Sequence, residues 1–91
     1  MKRVRIGGFG SSGAQDDVME HAILLYEKAH PGHDTWELNL TSDIYSEALG
    51  DKPLNLLKGT GFEEWVLEYA EEMHKKDPFY KEIIRIQEVD K

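Results

Sequence analysis

Residues 8–13 read Gly8-Phe9-Gly10-Ser11-Ser12-Gly13, a G-x-G-x-x-G pattern set between a short alternating segment and a helical stripe. In a strand-to-helix turn, glycines let backbone amides approach a phosphate, and serine hydroxyls add further donors. Gly8, Gly10, Ser11, Ser12 and Gly13 are therefore candidate ligand contacts for a small phosphate- or nucleotide-binding or enzymatic domain built on residues 7–13. Several features oppose that reading. A dinucleotide site needs two mononucleotide-binding halves, and this chain has room for barely one. Asp16 and Asp17 stand in the first turn of a helix expected over 14–29, where they repel an anion. The spacing Gly10-Ser11-Ser12-Gly13 is not the G-x-S-x-G of a nucleophilic serine. A turn without ligand is the expectation. His21, His30, His33 and Asp34 could be grouped around Pro31-Gly32, but two histidines flanking such a turn do not define metal geometry, so neither metal nor cofactor is expected.

A second constellation is built for contact. Glu63, Glu64, Glu68, Glu71 and Glu72 crowd one helix whose buried stripe reads Phe62, Val66, Tyr69, Ala70 and Met73, with Trp65 and Leu67 beside or off it. An aromatic anchor ringed by acids suits a protein interface, since aromatic side chains carry much of the binding energy and charges select the partner. Glu64, Trp65, Leu67, Glu68, Glu71 and Glu72 are the candidate partner contacts. The plain alternative is that Trp65 widens the stripe against Leu54 or Leu57 while the acids solvate an outer face.

The elements that must carry these residues follow from periodicity. Val4 and Ile6 alternate with Arg3 and Arg5 as in a strand with one wet face, and the strand stops at Gly7-Gly8. Val18, Ala22, Leu25, Tyr26 and Ala29 give the helix over 14–29, ended by Pro31-Gly32. Alternation over Thr35–Leu40, with Trp36, Leu38 and Leu40 on one side, predicts a second strand. Ile44, Ala48 and Leu49 before Gly50 predict one or two turns of helix, and residues 51–59 admit an edge strand, a helical turn or a loop pinned by leucines. Thr60 and Glu63 at capping-box spacing open a helix over 61–76. After Asp77-Pro78, residues 82–89 alternate again, with Ile84 and Ile86 opposite Arg85 and Gln87, in a last strand of undetermined direction.

Each expected strand keeps a polar face: Arg3/Arg5, Glu37/Asn39 and Arg85/Gln87. A sheet covered on both sides would instead show continuous apolar runs. The expectation is an α/β (or α+β) two-layer sandwich of order β-α-β-(short α)-α-β, with a three- or four-stranded sheet and two main helices on one face. Arg5 and Glu37 could pair across neighbouring strands. The order strand, turn at 7–16, helix, second strand over residues 2–40 resembles the first half of the thioredoxin-like fold, and the last strand is similar to part of its second half. That fold's Cys-x-x-Cys is missing here, because the chain has no cysteine, so thiol redox chemistry is excluded.

Composition narrows the function classes. Ninety-one residues fit a single domain spanning 1–91. Eighteen acids against eleven bases give a net charge of -7, which opposes general nucleic-acid binding. Glycines follow only two apolar residues at the start, so neither a signal segment nor a membrane-spanning helix is expected, and a cytoplasmic location is. The expected function is a non-catalytic protein-binding or regulatory module using the acidic helix 61–76 or the exposed sheet face, with a protein partner or a second copy as a homodimer. A weaker alternative is an inhibitor whose acids imitate a nucleic-acid backbone.

Overall fold

A computed structural model describes residues 2–32 and 38–88. The chain runs β1 (Lys2–Ile6), α1 (Ser12–Ala29), α2 (Leu38–Ala48), α3 (Phe62–Lys76), α4 (Tyr80–Ile83) and β2 (Ile84–Glu88). It is a small mixed α/β fold whose two strands pair antiparallel, Val4 opposite Ile86 and Ile6 opposite Ile84. These four residues turn toward α3, which lies on the sheet, while α1 packs on α3 and α2. Val4, Ile6, Val18, Ala22, Ile44, Phe62, Val66, Ala70 and Ile84 join one core. No helix among the described residues is long and apolar enough to cross a membrane.

The strand expected over Thr35–Leu40 is corrected at its described end. Thr35, Trp36 and Glu37 lie outside the described residues, whereas Leu38, Asn39 and Leu40 open helix α2. Leu40 and Ile44 are four residues apart, as are Ile44 and Ala48, so all three meet the core from one helical face, and that spacing outweighs a short alternation. The short helix expected near Ile44 is thus eleven residues long. Among the described residues the sheet has two strands, not three or four, and the thioredoxin-like order of strand, helix, strand does not continue through residues 38–40. Glu37 lies outside the described residues, and the residue opposite Arg5 is another arginine, Arg85.

Two helix starts also shift. Helix α1 begins at Ser12, which moves Asp16 and Asp17 out of the first turn. Helix α3 begins after Gly61, so the Thr60–Glu63 capping box does not form. Thr60 Oγ1 instead accepts the Phe62 N–H at 3.3 Å and donates to the Leu57 carbonyl at 2.6 Å.

Residues 51–59 form an irregular loop pinned by the buried Leu57 and the half-buried Leu54 and Leu56. Their other anchor is Glu47, whose carboxylate turns inward and accepts the backbone N–H groups of Asn55 and Leu57 at 2.8 and 3.1 Å. The stretch from Glu47 to Lys52 also meets the outer edge of β1. Ile6 N–H donates to the Leu49 carbonyl at 2.9 Å, and Arg3 donates to the carbonyls of Glu47 and Lys52. One backbone donor of this edge is thereby satisfied within the chain.

Candidate functional site

The glycine turn is tightly made. Ser11 is 4 % exposed, and both its hydroxyl (2.7 Å) and its N–H (3.3 Å) donate to the Gly8 carbonyl, so the hydroxyl closes the turn. A Cβ at Gly10 would stand 3.0 Å from Cζ of Phe79, so an aromatic ring occupies the close approach that this glycine allows. Gly8, Gly10, Ser12 and Gly13 are exposed, and Phe9 at the tip is 99 % exposed.

The acidic helix separates its candidates. Glu64, Glu68, Glu71 and Glu72 are exposed, while Trp65 and Leu67 are half-buried. Two residues apart on a helix, Trp65 and Leu67 point about 200° apart and flank the buried stripe on opposite sides. They do not form one patch. Trp65 stacks on His21 of α1 with ring centroids 3.9 Å apart and on Tyr69 at 5.2 Å, so its ring joins α1 to α3. Of the other histidines, His30 tilts against Tyr26 and His74 bonds the Ile84 carbonyl, while His33 and Asp34 lie outside the described residues.

The same helix interface carries a pH-sensitive group. Tyr69 donates to Asp17 at 3.4 Å, and burial, reinforced by the Asp17 charge, pushes its pKa up to about 12 from 10.0. An unfolded chain releases this proton near pH 10, whereas the folded one keeps it. The stability linked to Tyr69 is therefore intact below about pH 10 and lost as pH rises through about 12. Tyr69→Phe is expected to flatten the decline of the urea midpoint across that window. An unchanged slope would place the alkaline sensitivity elsewhere.

A third region concentrates positive charge on this acidic molecule. Alternation turns Arg3 and Arg5 of β1, with Arg85 and Gln87 of β2, away from the core. Gly7 N–H donates to the Ile83 carbonyl, and the antiparallel alternation from there makes Arg5 and Arg85 a hydrogen-bonded pair with Cα atoms about 5.5 Å apart. Like charges directly opposite destabilise a sheet. Beside them opens a cleft of about 690 Å³ lined by Arg3, Arg5, Lys52 and Lys58 and by the carboxylates of Asp51 and Glu63, with Pro53 and Leu54 as apolar wall, while Asp43 pairs with Lys52 from outside the lining.

The ion pairs here leave the cations accessible. Arg5–Asp51 and Lys52–Asp43 both stand at 3.5 Å with every side chain more than half exposed, so water screens them to about 1 kcal/mol or less. Arg3 is more constrained. Burial pushes its pKa below the ordinary value against the pull of Glu47 and Glu63, and its bonds go to carbonyls.

The sequence marked the strand faces as polar but did not single out Arg3, Arg5 and Arg85 as a site. Their assembly with Lys52 and Lys58 depends on a register and a loop path that local spacing does not encode. Compared with protein-family models, curated proteins and solved structures, the chain matches none, so its function is read from the chemistry of these surfaces.

Proposed function

We propose that this protein is a non-catalytic binding module that docks a protein partner on its exposed sheet face. The observation that carries this reading is the placement of Arg5 directly opposite Arg85, beside Arg3 and a cationic cleft, on a chain of net charge -7. Asp51 reaches Arg5 at 3.5 Å through an exposed, water-screened pair, so the repulsion between the arginines is only partly offset within the fold and a bound countercharge would relieve the rest. The acidic helix lends weaker support to binding, because its candidate anchor, Trp65, is stacked on His21 of α1. The glycine turn favours a structural role, since Ser11 is turned inward and the Phe79 ring stands where a side chain at position 10 would go.

Stability and binding should therefore pull apart at this face. Arg85→Glu places an acid opposite Arg5 and is expected to raise unfolding free energy by about 0.2 to 1 kcal/mol, a few degrees in Tm. Calorimetry of the variant checks the sign; a lower Tm would mean that the arginine pair is already satisfied within the fold.

Binding is tested by immobilising three forms: the native chain, Arg5→Glu/Arg85→Glu, and Glu68→Lys/Glu71→Lys. A partner retained by the native and helix-variant proteins but lost from the sheet variant is the expected result. Loss from the helix variant alone would move the interface to α3. A monomer that retains no protein and turns over a small molecule would reject the module altogether.

A further inference from the structure

Resting on the sheet-face reading, we infer that the docked partner segment is an extended acidic peptide, with carboxylates at every second residue and an aliphatic side chain beside them. Arg3 and Arg5 lie on one face of β1 two residues apart, about 6.8 Å along the strand. An extended peptide with acids at i and i+2 repeats at the same interval. Arg85, opposite Arg5, widens the cationic line across both strands, and Lys58 extends it on the loop side. This distribution is too long for a single phosphate.

The surroundings select among polyanions. Pro53 and Leu54 line the cleft next to these charges and supply an apolar wall for an aliphatic side chain. The outward positions of the paired strands are Arg3, Arg5, Arg85 and Gln87, without an aromatic ring, so nucleobases find no stacking platform on the sheet itself. The net charge of -7 further opposes a long nucleic-acid backbone, while a short peptide senses mainly the local cations within a Debye length.

A second copy of this chain is a poor occupant. The exposed glutamates of α3, Glu64, Glu68, Glu71 and Glu72, stand on the helix that packs on the inner face of the sheet, whereas the arginines stand on its outer face. A contact between the acidic side of one copy and the basic side of another is head-to-tail and does not close into a dimer.

The test titrates the full-length, isotope-labelled protein with an acetylated, amidated peptide of core Glu-Leu-Glu-Leu-Glu and follows amide shifts. Parallel titrations use a Lys-Leu-Lys-Leu-Lys core, inorganic tripolyphosphate and single-stranded oligodeoxythymidine. The acidic peptide is expected to move the amides of Lys2–Ile6 and Ile84–Glu88. Arg5→Glu/Arg85→Glu should weaken it roughly tenfold or more, and added salt should weaken it further. Because Arg85→Glu puts opposite charges across the strands, a folded Arg85→Glu single variant with reduced affinity separates lost binding from lost structure. If tripolyphosphate or the oligonucleotide moves these amides and the peptide does not, the peptide inference is overturned while the sheet face remains the binding surface. Equal binding of the lysine-core peptide, or light scattering that grows with protein concentration through the same face, overturns it as well. If no probe moves the two strands, or the shifts fall on Phe62–Lys76, the sheet-face reading itself fails.

Discussion

Gly50→Ala is expected to remove roughly 3 kcal/mol or more of stability, a large share of what a domain of this size possesses. Gly50 has φ near +90°, and a Cβ there would lie 2.6 Å from the Val4 carbonyl oxygen and 2.9 Å from the Arg5 Cα. Both are backbone atoms of β1, held on one side by β2 and on the other by the Ile6–Leu49 hydrogen bond. Neither can swing aside as the end of a flexible side chain would. The left-handed conformation adds about 1–2 kcal/mol for a non-glycine residue. Gly59→Ala provides the control, because Gly59 also has positive φ, near +80°, but meets nothing within 4 Å. Urea midpoints should separate the two variants clearly. Equal midpoints would show that the approach of residue 50 to β1 is not a stability determinant.

Glu47→Ala is the second large effect, with an expected loss of about 3 kcal/mol. Glu47 is 4 % exposed, and a single oxygen, Oε1, accepts the N–H groups of both Asn55 and Leu57. Charge-assisted bonds of this kind contribute about 1.5–3 kcal/mol each, and truncation also strands the buried Leu57 donor. Glu47→Gln retains one carbonyl oxygen at that position and should cost only about 1 kcal/mol, the difference between a charged and a neutral acceptor. Hydrogen exchange gives the local readout: the amides of Asn55 and Leu57 should lose protection strongly in the alanine variant and little in the glutamine variant. Equal losses would mean that the charge, and not the acceptor geometry, holds the loop.

These effects reach the binding surface. Lys52, Pro53, Leu54 and Lys58 are carried by the segment that Gly50 and Glu47 position against β1, so loosening either anchor should spread one wall of the cleft. Peptide affinity is expected to fall in Glu47→Ala while Arg5 and Arg85 remain in place on their paired strands. The two substitutions act on one bracket and should not add.

Much of the scaffold was legible from short-range pattern. The alternation near the start of the chain and over 82–89 identified both strands and their wet faces, although residues 82 and 83 close the short helix α4 and β2 begins only at Ile84, and the stripes through Val18, Ala22 and Tyr26 and through Phe62, Val66 and Ala70 identified the two long helices. Residues 38–40 were misread because a leucine, an asparagine and a leucine satisfy a strand as readily as the first turn of a helix. The decision came from contacts of Leu40 and Ile44 with the core. Glu47 was invisible for a related reason. An acid in the middle of a helix ordinarily faces water, and nothing near it in the chain announces that Asn55 and Leu57 return to it.

By itself the sequence determined a cysteine-free, acidic α/β chain, the places of its two strands and two long helices, and the polar character of one sheet face. These properties depend on the order of wet and dry side chains within a few residues, which periodicity records directly. Tertiary structure decided that the strands run antiparallel, that Arg5 meets Arg85, and that Lys52 and Lys58 join Arg3 and Arg5 around a cleft. Register and loop closure are set by contacts between residues far apart in the chain, such as Arg5 with Arg85 and Gly50 with Val4, where the energy of packing and pairing outweighs any local preference.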